Sequence, residues 1–131
     1  MAIDQSRANN ILDYLHCRTT ATALTAPVKI RLASTASNAT TPGTEITAGG
    51  GYTAGGVAAA SFWNAASAGS ANNIAFSITN MPTAATISHI DFYDSNGSPI
   101  RLEYGALTAS RSTSSGDTLT FSAAAVTSAL S

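Results

Sequence analysis

Charge is scarce in this chain. Six Lys/Arg and seven Asp/Glu make up 10% of 131 residues and leave a formal net charge of −1. Ordinary soluble domains carry roughly 25% charged residues. Neither sign forms a run, so the concentrated basic footprint that nucleic-acid binding needs is missing. One cysteine, Cys17, excludes an internal disulfide and suits synthesis in a reducing cytosol. The histidines, His16 and His89, fall in different elements, and no Cys-x-x-Cys or His-Glu-x-x-His occurs. A metal site needs three or four ligands at fixed spacing, so neither a metal nor any other cofactor is expected. No stretch approaches the ~18 to 20 continuous apolar residues of a membrane span. The first residues hold no basic stretch followed by an apolar run, so no secretory signal is expected.

What remains is small and weakly polar. Ser and Thr supply roughly a quarter of the residues, and much of the 44% hydrophobic content is Ala. Such a surface lacks the repulsion that keeps a monomer apart from its neighbours. The length is ordinary for one domain and can bury a core without staples, so residues 1–131 are read as a single domain.

Alternation dominates the chain. Val28, Ile30 and Leu32 point one way and Lys29 and Arg31 the other. Ile74, Phe76 and Ile78 alternate likewise, as do Ile100, Leu102, Tyr104 and then Leu119 and Phe121. Asn96-Gly97 and Gly116-Asp117 mark turns between the last strands, and Asn80-Met81-Pro82 marks another. A further strand of small residues is expected over 57–62. Tight turns favour antiparallel pairing. The expected fold is therefore all-β, an antiparallel β-sandwich or jelly-roll-like barrel over 28–122 with one short N-terminal helix. That helix is expected over 4–16, capped by Asp4 or Ser6, with Ala8, Ile11, Leu12 and Leu15 on one face. At about three turns it must dock, either on the end of the sandwich or on a partner subunit. Residues 34–56, with Pro42-Gly43, Gly49-Gly50-Gly51 and Gly55-Gly56, read as a long loop, and residues 64–73 as a shorter one. The tail, 123–131, is open between a last strand and a helical turn.

Catalytic patterns are missing. There is no Gly-x-Ser-x-Gly elbow, and Gly51-Tyr-Thr-Ala-Gly-Gly is not followed by Lys-Ser/Thr. Cys17 has His16 beside it in sequence but on another helix face, with no third orienting group. It is read as a buried or partner-facing thiol. His16 ends the helix, where a cation suits the dipole. Asp91, Asp94 and Glu103 are the carboxylates that could form a glycosidase pair. Outward-facing ion pairs with Arg101 and Arg111 are the simpler expectation for alternating strands. Asp94-Ser-Asn-Gly97 opens like a calcium loop but lacks the closing Glu. No enzyme activity is expected. Phe92 and Phe121 are read as core, with Tyr93 facing the other way. Tyr52 and Trp63 flank loops, where a large aromatic caps the core or anchors an interface.

An ordered set of segments resembles a family of small phage virion structural proteins. It comprises Asn10-Ile-Leu-Asp-Tyr-Leu, Val28-Lys-Ile-Arg-Leu-Ala-Ser-Thr, Gly50-Gly51-Tyr52 and Phe62-Trp63. Ile87-Ser-His-Ile-Asp-Phe-Tyr-Asp, Tyr104-Gly-Ala-Leu-Thr-Ala-Ser-Arg and Ser115-Gly-Asp-Thr-Leu-Thr-Phe-Ser-Ala complete it. Members are described as tail-fibre-like or head decoration (cement) proteins. Two positions depart: Thr53 and Ala54 stand where an Arg usually follows Gly-Gly-Tyr, and Asp91 stands where Gly is frequent. The resemblance implies a virion component, assembled in the host cytoplasm, without known catalysis. The leading expectation is a capsid decoration protein that stabilises the head lattice. Its partners would be the major capsid protein and copies of itself, a trimer being favoured, with no nucleic acid or membrane. The alternative is a tail tip or fibre module whose Tyr52, Trp63 and Tyr93 meet host glycan. The expected contact residues are Ile11, Leu12 and Leu15 on the helix, Gly50, Gly51 and Tyr52 in the glycine-rich loop, and Trp63 and Tyr93.

Overall fold

The computed structural model describes residues 1–60, 62–63, 69–71 and 75–129. The chain is mostly strand, and every strand pair is antiparallel. In chain order the elements are β1 (Ala2–Ile3), α1 (Gln5–Leu15), β2 (Lys29–Ala33), β3 (Val57–Ala58) and β4 (Gly69–Ala71). They continue with β5 (Phe76–Ile78), β6 (Ala85–Tyr93), β7 (Arg101–Thr113), β8 (Leu119–Phe121) and β9 (Thr127–Ala129). The main sheet has the order β1-β7-β6-β2-β3, and β4-β9 and β5-β8 form two-stranded ribbons.

Period-two alternation builds the core. Ile30, Leu32, Ile87, Ile90 and Phe92 project from one face of the main sheet and are at most 2% exposed. Ile78, Leu119 and Phe121 of the β5-β8 ribbon join them in one apolar cluster. This is the two-layer closure expected of an all-β chain. Phe62 sits between the layers, with its ring 5.7 Å from Phe76 and 5.5 Å from Phe92.

Several expectations are corrected. The strand over 57–62 is only Val57–Ala58, because Phe62 leaves the strand to place its ring in the core. Part of the expected 64–73 loop is strand β4, which pairs with β9. That pairing also makes the tail a strand. Ile74, the start of another expected strand, lies outside the described residues. Asp91 and Arg101, expected to face outward, are 0% and 7% exposed. Alternation does put them on the polar face of the sheet, but that face is roofed by residues 34–45 rather than open to water.

α1 forms where expected. Asp4 is the N-cap and accepts from the Ser6 amide at 2.9 Å. At the other end the Cys17 amide donates to the Tyr14 carbonyl and the Arg18 amide to the Asp13 carbonyl. With Cys17 at φ 56, this is a Schellman close in which Cys holds the position usually given to Gly. Cys17 is exposed, not buried. No residue of α1 is buried. The helix therefore does not plug the end of the sandwich. It is held by its first turn, where the Asp4 amide donates to Leu102 and the Gln5 amide to Ala39.

Candidate functional site

The polar face of the main sheet carries the buried Asp91 and Arg101 beside the half-buried Arg31. Arg31 of β2 stands opposite Asp91 of β6, and Asp91 opposite Tyr104 of β7. A register shift after Phe92 brings Arg101 opposite Tyr93 on the same face. Arg31 donates to the Tyr93 hydroxyl at 2.8 Å and to the Gly43 carbonyl at 3.2 Å. Its Nε lies 3.2 Å from Glu45. Arg101 donates through Nε to Asp4 at 2.7 Å and through Nη2 to the Asn38 carbonyl at 2.7 Å. Both arginines thus clip the 34–45 segment over the sheet. Asp91 lies beneath it, and neither carboxylate oxygen has a hydrogen-bond partner. Burial pushes its carboxyl above the usual range, and Ser37, Arg101, Arg31 and His89 oppose this without reversing it.

The glycine-rich segment is an internal latch. A Cβ on Gly51 would lie 1.9 Å from the Thr79 carbonyl oxygen, and one on Gly50 2.1 Å from that of Asn80. Only glycine lets the loop approach that closely, and Gly50 also has φ 55. The turn drives Tyr52 into the core, 1% exposed. Its hydroxyl accepts from the Leu32 amide at 3.0 Å and donates to Glu45 at 2.8 Å. Burial pushes the Tyr52 phenol well above its ordinary pKa. Tyr52 is therefore a core residue and not a surface ring. Trp63 is half-buried against Phe62, ring centres 5.0 Å apart. Tyr93 lines an open cleft together with residues from α1 and the 34–45 segment.

The candidate carboxylates do not combine into a catalytic pair. Glu103 stands opposite Phe92 and so projects from the other face of the sheet than Asp91. It bonds the Ser128 hydroxyl. Asp94 is 1% exposed and closes the β6–β7 connection by accepting from the Ile100 amide at 2.7 Å and the Thr25 amide at 3.1 Å. Burial would raise its pKa, but these backbone bonds outweigh that and hold it below the usual carboxylate value. His89 hydrogen-bonds its neighbour Ser88 at 2.9 Å. Among the described residues, no three His, Cys, Asp or Glu are grouped to hold a metal ion, and no helix is long and apolar enough to cross a membrane.

Four large apolar groups among the described residues are left in solvent. Leu12, Tyr14 and Leu15 of α1 are 51%, 54% and 64% exposed, and Leu24 in the following segment is 42% exposed. Ile11 is half-buried. The helical period marked Leu12 and Leu15 in the sequence. Tyr14 and Leu24 carried no such signal, since both lie off the apolar stripe.

The buried Asp94 and Arg101 thus bond to the scaffold's own backbone, and Leu12, Tyr14 and Leu15 stand exposed on α1. The family model described as podophage GP4 fiber I protein gp80 matches residues 2–129, and the chain belongs to that family. It is a structural protein of the bacteriophage virion. A search of curated proteins found no match.

Proposed function

We propose that this chain is a structural subunit of a virion fibre and docks on neighbouring virion proteins through α1 and the segment that follows it. The observation that carries this reading is the exposure of Leu12, Tyr14, Leu15 and Leu24. An 11-residue helix with no buried residue of its own gains little from tertiary packing. A partner seated on its apolar side would supply that packing. Repetition over a symmetric assembly then turns weak single contacts into avidity. Cementing of a head lattice, with the major capsid protein as partner, would use the same surface. The fibre description of the family supports the fibre placement over it.

Phage carrying Leu12→Asp together with Leu15→Asp tests the reading. Incorporation of the chain into purified particles, counted by quantitative mass spectrometry, is expected to fall at least about tenfold. The stability of the isolated chain should stay within ~0.5 kcal/mol, as for other exposed positions. Normal incorporation would refute docking through α1. Imaging of whole particles separates fibre from head placement.

A further inference from the structure

We infer that the cleft between β7, β8 and residues 122–127 binds an organic anion with a short apolar tail, a medium-chain carboxylate. The cleft measures about 300 Å³, at the lower end of the ~300 to 1,000 Å³ range of small-ligand sites. An irregularity in the main sheet borders it. Ile87 pairs with Arg111 and His89 with Ala106, so Leu107, Thr108, Ala109 and Ser110 stand against Ser88 alone. A bulge of this kind bends the strand and re-aims its side chains. Leu107, Thr108 and Ala109 of the bulge line the cleft. So do Ile90, Leu119, Phe121 and Val126, which are 2 to 7% exposed and belong to the core cluster. An apolar tail laid against them would add to that cluster. A cavity of ~150 Å³ holds benzene, so about 300 Å³ takes roughly ten non-hydrogen atoms, the size of octanoate.

Charge sets the head group. Among the described residues that line the cleft, Arg111 alone has a charged side chain, and no Asp or Glu is present. Arg111 stands opposite Ile87, a core residue, so its side chain leaves the sheet on the core face, yet it is exposed. Its guanidinium forms no ion pair and no side-chain hydrogen bond with a described residue. A cation with no carboxylate beside it calls for an anion, and a guanidinium holds a carboxylate through two parallel hydrogen bonds. The Thr108 hydroxyl is a further donor at the same cleft. An inward charge at a sheet edge also deters pairing with a neighbouring strand. That role by itself gives no preference among ligands, and the preference is what the test reads. The inference goes beyond the fibre reading and does not depend on it.

The test is an amide-resolved NMR titration of the full chain with octanoate. Acetate, which lacks the tail, and octanol, which lacks the charge, are the comparisons. Vesicles of an anionic phospholipid separate a free acid from a lipid surface. Octanoate is expected to shift the Leu107, Thr108 and Phe121 amides and the Arg111 Nε–H signal, with a Kd of the order of 1 mM. Acetate and octanol should each bind about tenfold weaker or more. Arg111→Gln should weaken octanoate binding about tenfold and leave the melting temperature unchanged. The inference is overturned if octanoate moves none of these signals, if the shifts lie elsewhere, if acetate or octanol binds as well, if only the vesicles bind, or if Arg111→Gln binds as the native chain does. None of these outcomes bears on docking through α1, which the incorporation assay reads separately.

Discussion

Removing Asp4 should lower stability by more than the loss of an ordinary helix cap, because one buried carboxylate serves two structures. Its Oδ1 accepts from the Ser6 amide at 2.9 Å and caps α1. Its Oδ2 takes both Nε and Nη2 of Arg101, at 2.7 and 2.6 Å. Asp4→Ala leaves the Arg101 guanidinium buried without its counter-charge, a loss of about 3 to 5 kcal/mol. Loss of the cap adds about 1 kcal/mol. Asp4→Asn keeps the cap and loses the charge, so it should fall short of the Ala variant by about that last amount. Arg101→Met combined with Asp4→Asn removes the pair altogether and should recover most of the loss. Against a total stability of ~5 to 15 kcal/mol, the Ala variant is severely weakened. Urea denaturation measures this directly. Trp63, the sole tryptophan, packs on the core ring of Phe62 and reports unfolding by fluorescence. A midpoint lowered by about 2 M is expected for Asp4→Ala. The pH dependence has a definite sign. Burial alone would raise the Asp4 carboxyl, but Ser6 and Arg101 outweigh it and hold it below the usual value. The contribution is thus complete above the unfolded pKa of about 3.9 and is lost as pH falls through the lower folded pKa. A loss below ~1 kcal/mol in Asp4→Ala, or strict additivity in the double variant, would refute the reasoning.

Asp91 should behave oppositely. Its folded pKa is raised by burial, so native stability should rise as pH falls from above that pKa toward the unfolded value. Asp91→Asn should stabilise the chain where Asp91 is ionised and lose its advantage as pH falls through the raised folded pKa toward the unfolded value. Melting temperatures from pH 8 to 4 decide this, and a destabilised Asn variant at pH 8 would count against it. Gly51→Ala must push its Cβ off the Thr79 carbonyl oxygen, 1.9 Å away, and should lose more than ~2 kcal/mol. Gly97→Ala, with nothing within 4 Å, is the control and should stay within ~0.5 kcal/mol. Equal urea midpoints for the two would remove the close-approach account of the latch.

How legible each part was in the sequence follows from the range of the forces involved. Ile30, Leu32 and Phe92 were readable as core because strand alternation is local and every turn agreed with it. Asp4 was readable as a cap because capping needs only its own helix. Asp91 was misread because alternation assigns a residue to a face without saying what covers that face. The cover is residues 34–45, and the groups that hold it, Arg31, Arg101 and Glu45, come from distant parts of the chain. Gly50-Gly51-Tyr52 was readable as a glycine-rich loop with contact residues, but nothing local said that it packs on its own chain at Thr79 and Asn80. The same ambiguity attended Trp63, which packs on Phe62. The cleft at Tyr93 needed the register shift after Phe92, which no local pattern announces.

These features combine into one mechanical arrangement. α1 presents apolar side chains to solvent, so packing beneath it does not fix its orientation. Its direction is set at the first turn, by Asp4 on Arg101 and by the Asp4 and Gln5 amides on Leu102 and Ala39. Arg101 lies on β7, and its Nη2, which also faces Asp4, donates to the Asn38 carbonyl of the roof. The roof is tied again at Gly43 by Arg31, whose partner Glu45 fixes Tyr52 in the core. A load on the helix is therefore passed through a buried, hydrogen-bonded polar layer into the main sheet. Buried charge is a poor way to gain net stability, but it fixes geometry where an apolar layer would tolerate sliding. Under the proposed docking through α1, a small error in helix direction would be repeated at every copy of the subunit, and a rigid root for α1 would limit it.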